Sequence, residues 1–298
     1  MRSRLLTPAH PIDLRLTLSS LRHGGADPTL RLCKDEAWRA TRTPEGPASL
    51  HVRSCAGTIE AAAWGPGAEW ALDRLPGLVG LEDDASAFRP RHPALRELHR
   101  RMPGLRLART DGVIEALIPA VLEQKVTSAE AHHAYRQIVR SLGERAPGPV
   151  ELYLQPSPLD LSRTPYWTLH PFGVERRRAR VLAAGCARAG RLEAATSLPA
   201  DQARARLRAI PGVGAWTAAE VAKVAFGDPD AVSIGDFHLP HLVAWVLAGE
   251  PRASDERMLE LLEPYRGDRA RAVRLIELGG AHPPRFAPRM PVRSIAKM

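Results

Sequence analysis

Apolar and polar residues alternate along "IDLRLTLSSL" (residues 12–21), the two-residue period of a half-buried strand. Two further alternating runs flank a Pro-Glu-Gly-Pro turn in "AWRATRTPEGPASLHVRS" (37–54), and "CAGTIEAAAW" (55–64) follows through another glycine turn. These runs predict an antiparallel sheet over residues 10–65 and a short helix near Glu69–Leu75. From about His92 the apolar period lengthens to three or four residues. "HPALRELHRRM" (92–102) and "DGVIEALIPAVLEQKVTSAEAHHAYRQIVRSLG" (111–143) are helical in pattern, the latter bounded by Asp111 and Gly143 as caps. "RRARVLAAGCARAG" (177–190) and "PADQARARLRAI" (199–210) predict more helices. The Pro/Gly stretch "ERAPGPV" (144–150) divides the helical region into two lobes. The predicted class is α+β, mainly α: an N-terminal antiparallel β-rich domain (1–88), an all-α region (89–284) and a basic, Pro-rich tail (285–298).

Between helical segments Ala200–Ala209 and Ala215–Phe226, the residues Leu207, Ile210, Pro211, Gly212, Val213, Gly214, Thr217 and Ala218 spell L-x-x-I-P-G-V-G-x-x-T-A. Glycines at 212 and 214 permit backbone angles closed to other residues and clear side chains from the turn. Amides can then converge at a helix N-terminus, where they and the helix dipole favour an anion. Such a clamp grips a phosphate and reads no bases. "PGVG" alone is more often a simple helix-turn-helix corner. The apolar framing and Thr217-Ala218 at these offsets favour DNA binding.

Asp236 precedes "FHLPHLVAWVLAG" (237–249), whose apolar residues are helically spaced, with Pro240 falling in the first turn. On local pattern it is a helix N-cap. A catalytic reading needs the carboxylate beside a reacting sugar. The loop "GDPDAVSI" (227–234) could present it there if the hairpin holds a neighbouring phosphate. Capping and catalysis are compatible.

Charge supports an anionic partner: 42 Lys+Arg against 33 Asp+Glu give a formal +9 over 298 residues. Lysine occurs only at Lys34, Lys125, Lys223 and Lys297, so nearly every cation is a guanidinium, whose planar fork suits phosphate. Cys33, Cys55 and Cys186 are scattered and odd in number, which fits neither a disulfide framework nor metal-ligand spacing. His238 and His241 share a helix face without a third ligand nearby, so no metal site is expected. No stretch approaches the ~20 apolar residues of a membrane span, and the N-terminus lacks a secretory apolar core. A soluble, cytoplasmic protein is expected.

The hairpin Leu207–Ala218, the loop 227–236 and Asp236 together resemble the helix-hairpin-helix DNA glycosylase superfamily. "LEQKVTSAEA", with Gln124, is similar to that family's segment that enters DNA at the lesion. "FGVERRRARVL" (Gly173, Arg178, Ala179, Leu182) is similar to its glycine-to-basic helix motif. The likeness covers about residues 90–285, and the β-rich region ahead of it is similar to the 3-methyladenine DNA glycosylase II branch. The resemblance implies a two-lobed helical glycosylase core, with Asp236 as the catalytic carboxylate. It further implies that Pro211, Gly212, Val213, Gly214 and Thr217 grip a phosphate, and that Gln124 and Lys125 meet the lesion as wedge. A monovalent cation on the hairpin backbone is frequent in the family. The implied partner is double-stranded DNA containing a damaged base, bound by a nucleoid-associated monomer that needs no cofactor.

Departures sharpen the assignment. Bifunctional members carry a catalytic lysine two residues after the second hairpin glycine; here that residue is Trp216, and Lys223 lies two turns further on. A monofunctional enzyme using water is therefore expected, without lyase activity. Iron–sulfur members end in four closely spaced cysteines, whereas no cysteine follows Cys186, so no cluster is expected. Lys125 stands where alkyl-base enzymes often place an apolar wedge, and a lysine is a poor intercalator. Trp216 and Phe237 are candidates for a base pocket, although a buried aromatic is as often plain core. Glu220 is either a solvated helix charge or an acceptor for a base edge. Arg176, Arg177, Arg178 and Arg180, like Arg285, Arg289, Arg293 and Lys297 in the tail, form either a solvated face or phosphate contacts. Chemically, a buried base must be flipped out before its glycosidic bond is reached. Alkylated purines are already cationic leaving groups, and sparse aromatics (5%) leave room for deaminated or oxidised bases. The rival from another class is a non-catalytic DNA-binding module, for which Asp236 would be dispensable.

Overall fold

Five strands form an antiparallel sheet ordered β1-β5-β4-β3-β2: β1 (Arg2–Leu6), β2 (Leu30–Leu32), β3 (Glu36–Thr43), β4 (Gly46–Cys55) and β5 (Thr58–Trp64). The structure, a computed structural model, describes residues 1–284; the basic tail positions Arg285, Arg289, Arg293 and Lys297 lie outside the described residues. The β4–β5 hairpin closes with Cys55 opposite Thr58. Its two loop residues, Ala56 and Gly57, both have positive φ, the twist-matched geometry for a two-residue turn. Alternate residues Leu50, Val52, Ile59, Ala61 and Ala63 point to one face and are buried there.

The segment 12–21, expected as a strand, is helical: α1 (Leu14–Leu18) followed by a 3-10 turn. The Asp13 carboxylate accepts the Leu16 amide at 2.8 Å and so caps the helix. Leu14, Leu18 and Leu21 then fall on one side and pack on the sheet. Leucines at 14, 16 and 18 satisfy either period, and the cap decides between them. The strands missing from the expected set are β1, which pairs with β5 at one edge of the sheet, and β2, which pairs with β3 at the other. The helix expected near Glu69–Leu75 is two short ones, α2 (Ala68–Asp73) and α3 (Leu75–Leu78), against the same face.

The remaining helices are α4 (Pro93–Arg101), α5 (Val113–Leu122), α6 (Ser128–Leu142), α7 (Pro158–Arg163), α8 (Tyr166–Leu169), α9 (Arg176–Cys186), α10 (Ala189–Glu193), α11 (Ala200–Arg208), α12 (Ala215–Ala225), α13 (Leu239–Ala248), α14 (Asp255–Leu262) and α15 (Arg269–Leu278). The long helical pattern 111–143 is thus broken in two. Thr127 begins α6 with a reciprocal capping box to Glu130, and Lys125 just before it has φ +56°. Asp111 does not cap α5. Glu193 does so from a distance, its carboxylate accepting the Val113 and Ile114 amides at 2.9 Å each.

The helices sort into two lobes, but not at "ERAPGPV". That stretch lies in a small hairpin, Glu144–Arg145 with Tyr153–Leu154, which leans on the sheet through Tyr153 N to Pro28 O (2.9 Å). One lobe's core draws on α5–α12, with Leu117, Ile138, Leu182 and Val221 at its centre. The other combines α4 with α13–α15, where Leu95, Val243, Met258 and Ile276 meet. The chain passes between lobes along residues 227–238. Among the described residues no helix is long and apolar enough to cross a membrane.

Candidate active site

The hairpin 207–218 joins α11 to α12 as the sequence pattern predicts. Gly212 has φ +91°, and a Cβ there would lie 2.3 Å from Val181 Cγ2 on α9. Glycine is therefore required twice, for its backbone conformation and for the close approach of α9. Gly214 ends the turn at φ −90° and precedes the first residue of α12, with nothing within 4 Å of a Cβ placed on it. It offers no capping side chain, so the first amides of α12 lack an intrahelical acceptor and face outward with the exposed Pro211, Gly212 and Ala215. Val213 and Thr217 are buried. Thr217 does not face outward: its hydroxyl accepts Gln124 Nε2 at 2.9 Å, and the same nitrogen donates to Gly212 O at 3.0 Å. Gln124 thus fixes the hairpin from inside, and Lys125, exposed at a strained φ, is the residue that projects beside it. The Ile210 and Gly212 carbonyls accept hydrogen bonds from Val213 N and Gln124 Nε2.

These contrasts yield a paired prediction. Gly212→Ala should cost about 2 kcal/mol or more of stability, through the left-handed backbone and the clash with Val181. Gly214→Ala should leave the melting temperature unchanged while its methyl obstructs the amides, weakening duplex DNA roughly tenfold, the loss of about one phosphate hydrogen bond. Thermal melts and salt-controlled DNA titrations of the two variants check both halves. Equal DNA affinity for Gly214→Ala and the wild type would sink the clamp.

Asp236 stands where the chain passes between the lobes. Its Oδ1 accepts the amides of His238 (2.8 Å) and Leu239 (2.9 Å), and its Oδ2 accepts Trp216 Nε1 at 2.8 Å. The residue caps α13, as its local pattern predicts, yet one oxygen also turns toward the hairpin helix. The loop leading to it is pinned along its length. Asp228 is buried and paired with Arg204 of α11. Pro229 O accepts Ala270 N at 2.7 Å, and Asp230 pairs with Arg269 at 2.5 Å. Ser233 Oγ donates to Glu220, and Gly235 N donates to Asp255 Oδ2 at 2.9 Å. Such bracing fixes the position of the Asp236 carboxylate through several elements at once.

Trp216 is half-buried against Asp236, whereas Phe237 is 80% exposed, its ring edge-on to His238 and His241. The structure therefore brings Trp216, Asp236 and the hairpin together and leaves Phe237 on the surface beside them. Glu220 is not a solvated charge: its Oε1 accepts Lys223 Nζ at 2.6 Å as well as the Ser233 hydroxyl. Burial acts to lower the Lys223 pKa, but the carboxylates of Glu220 and Glu277 outweigh it and hold the ammonium above its ordinary range. Arg178, counted within a basic run, points inward instead. It is buried and donates to Leu122 O (2.7 Å) and Gly173 O (2.9 Å), closing the C-terminus of α5. Arg176, Arg177 and Arg180 remain exposed on α9.

Sequence reasoning missed Glu123. It follows α5, next to Gln124, and lines a cavity of about 110 Å³ between α5, α12 and the sheet-side segment 20–30. Glu220, His23, Thr29, Tyr135 and Gln155 share that lining.

No family model matches the chain. Over 160 residues it is 33% identical to a Mycobacterium tuberculosis protein named probable bifunctional transcriptional activator/DNA repair enzyme AlkA, covering 49% of this chain and 30% of that relative. The match thus spans less than a third of the relative's length. DNA-3-methyladenine glycosylase 2 of Escherichia coli is 29% identical over 220 residues, 73% of each chain. Among solved structures, 3-methyladenine DNA-glycosylase from Archaeoglobus fulgidus superposes with a TM-score of 0.80 at 19% identity, over 92% of this chain and 96% of that one. The Clostridium acetobutylicum 8-oxoguanine glycosylase/lyase follows the same fold at a TM-score of 0.70 and 14% identity, over 93% and 96%. The structural likenesses, each under 25% identical, speak for the fold of the helix-hairpin-helix DNA glycosylases, and the sequence likenesses make the chain similar to 3-methyladenine DNA glycosylases of the AlkA kind.

Proposed function

We propose that the protein is a monofunctional DNA N-glycosylase of base excision repair, acting chiefly on alkylated purines in duplex DNA. The observation that carries this reading is the Asp236 carboxylate, held by two amides of α13 and the Trp216 indole beside the hairpin. The hairpin amides grip a phosphate of the damaged strand, and the flipped nucleotide brings its sugar to Asp236. As the C1′–N bond breaks, its electron pair leaves with the base and positive charge grows on the sugar. Asp236 stabilises that charge. Water adds to C1′ and gives its proton to the carboxylate, which releases it to solvent. An alkylated purine such as 3-methyladenine or 7-methylguanine is a cation and departs as a neutral base, so little more is required.

The position of the family's lyase amine offers no nucleophile. Trp216 fills the position of the family's lysine, and Lys223, locked to Glu220 at 2.6 Å, is a protonated ammonium rather than a free amine. The test is incubation with duplexes containing 3-methyladenine, 7-methylguanine, hypoxanthine, uracil or 8-oxoguanine, assayed for free base and for strand breaks with and without hot alkali. Release of methylated purine with breakage only after alkali supports the reading. Breakage without alkali, together with a borohydride-trapped covalent adduct, overturns its monofunctional half; tight DNA binding without release from any substrate overturns the enzyme.

A further inference from the structure

We infer that Glu123 donates a proton to the departing base where that base is an uncharged purine such as hypoxanthine. This rests on the glycosylase reading of Asp236. Geometry supplies the first argument. Glu123 immediately precedes Gln124, whose amide is tied to Gly212 and Thr217 of the hairpin, so its position is rigidly related to the phosphate clamp. Its carboxyl lines the 110 Å³ cavity together with Glu220, the residue whose oxygen also holds Ser233 of the catalytic loop. Among the described residues no hydrogen bond reaches that carboxyl; its nearest partners are His23 Nδ1 and His132 Nε2, each at 3.9 Å. The group is free to bond something entering the cavity.

The lining is polar: Thr29, Tyr135 and Gln155 offer edges that can hydrogen-bond a base, and Glu123 and Glu220 add carboxyl groups. An uncharged purine poses the harder reaction, because its leaving group would be an anion unless a ring nitrogen is protonated.

The charges around Glu123 keep it able to do so near neutrality. Burial, the neighbouring Glu220 carboxylate and, beyond Lys223's opposing pull, Asp236 push its carboxyl up to about 7. From the sheet side, His23 faces it with its own pKa driven to about 4 by burial, and so is neutral. His132 on α6 is lowered by burial too, Asp27 opposing. Tyr135 stays protonated, its pKa raised by burial. Glu115 further along α5 is neutralised by Arg39 at 2.8 Å, and Arg22 borders the cavity. In the step itself the Glu123 proton passes to a ring nitrogen of the purine. The C1′–N9 electron pair leaves with the base, water oxygen bonds to C1′, and the proton of that water goes to Asp236. Glu123 regains its proton from solvent through the cavity.

The test is single-turnover release of hypoxanthine and of 7-methylguanine from duplex DNA between pH 5.5 and 9 (~ranges suited to a carboxyl titrating near 7), with wild type, Glu123→Gln and Glu123→Asp. For the wild type, hypoxanthine release should fall as pH rises through about 7, while 7-methylguanine release lacks that limb. Glu123→Gln should lower hypoxanthine release about 100-fold and remove the limb, with 7-methylguanine release little changed; Glu123→Asp should restore part of both. Equal loss on both substrates, no loss on either, or wild type that releases 7-methylguanine but never hypoxanthine overturns the assignment while leaving the glycosylase intact. Release of neither base by wild type removes the underlying reading instead.

Discussion

Asp236→Asn is expected to lower release of methylated purines by roughly 10²–10⁴-fold, the range associated with removing a charge-stabilising or proton-accepting group. The substitution is nearly isosteric, and its amide oxygen can still accept the His238 and Leu239 amides that Oδ1 now accepts. Asparagine is as good an N-cap as aspartate, so α13 keeps its start. What changes is the second atom: Oδ2 becomes an NH2 facing the Trp216 Nε1 donor. Two donors then face each other, at a cost of about 1–3 kcal/mol. That cost is readable as a lower melting temperature and is distinct from the loss of charge. Trp216→Phe separates the two, because it removes the donor while keeping Asp236 ionisable; it should cost about tenfold in rate, one hydrogen bond's worth of positioning. DNA affinity should survive in both variants, since the hairpin amides are untouched. Base release by Asp236→Asn at near the wild-type rate would reduce the residue to a helix cap.

Asp83→Ala should be the most destabilising single change considered, by about 3–5 kcal/mol, because it strands a buried guanidinium. Arg271 Nη1 and Nη2 donate to the two Asp83 oxygens at 2.8 and 2.6 Å, and Nε donates to Asp268 at 2.8 Å. The side chains are only 3% and 6% exposed. Asp83 also accepts the Leu107 amide at 2.9 Å, so the pair ties the segments flanking α4 to α15. At roughly 2–4 °C per kcal/mol the melting temperature should drop by roughly 6–20 °C. Asp83→Leu combined with Arg271→Met should recover most of that loss, because a buried pair replaced by apolar residues of similar size is often neutral. A single-variant loss under about 1 kcal/mol would show that water reaches the pair. The loop 227–236 should feel the change as well: the Ala270 and Arg271 amides hold Pro229 O, and release should fall by more than the unfolded fraction explains.

Much of the architecture was legible along the chain because it rests on local rules. Gly212 and Gly214 marked the hairpin, and α11 and α12 end within a residue of the expected bounds. Asp236 caps α13, with Pro240 in its first turn, as its setting predicted. The β3–β4 turn at Pro44–Glu45 was equally visible. Segment 12–21 was misjudged because three leucines at alternate positions fit either period, and a single carboxylate, Asp13, settles the matter in favour of a helix.

Local pattern along the chain therefore carries β3 to β5, helices α4 to α6, α9 and α11 to α13, the turn that can hold a phosphate and the aspartate that follows it. Tertiary structure alone decided which residues stand around that aspartate. Trp216 donates to it across 20 positions, and Arg204 braces its loop from α11. Gly235 is held by Asp255 and Pro229 by α15, while Glu123 enters the same electrostatic neighbourhood as Glu220 and Asp236. It also turned Arg178 inward to close α5 and set Gln124 behind the hairpin. The physical reason is the range of the interactions. Caps, turns and amphipathic periods act within a few residues and leave a pattern in the sequence, whereas burial and the sum of nearby charges depend on segments brought together only when the two lobes and the sheet pack.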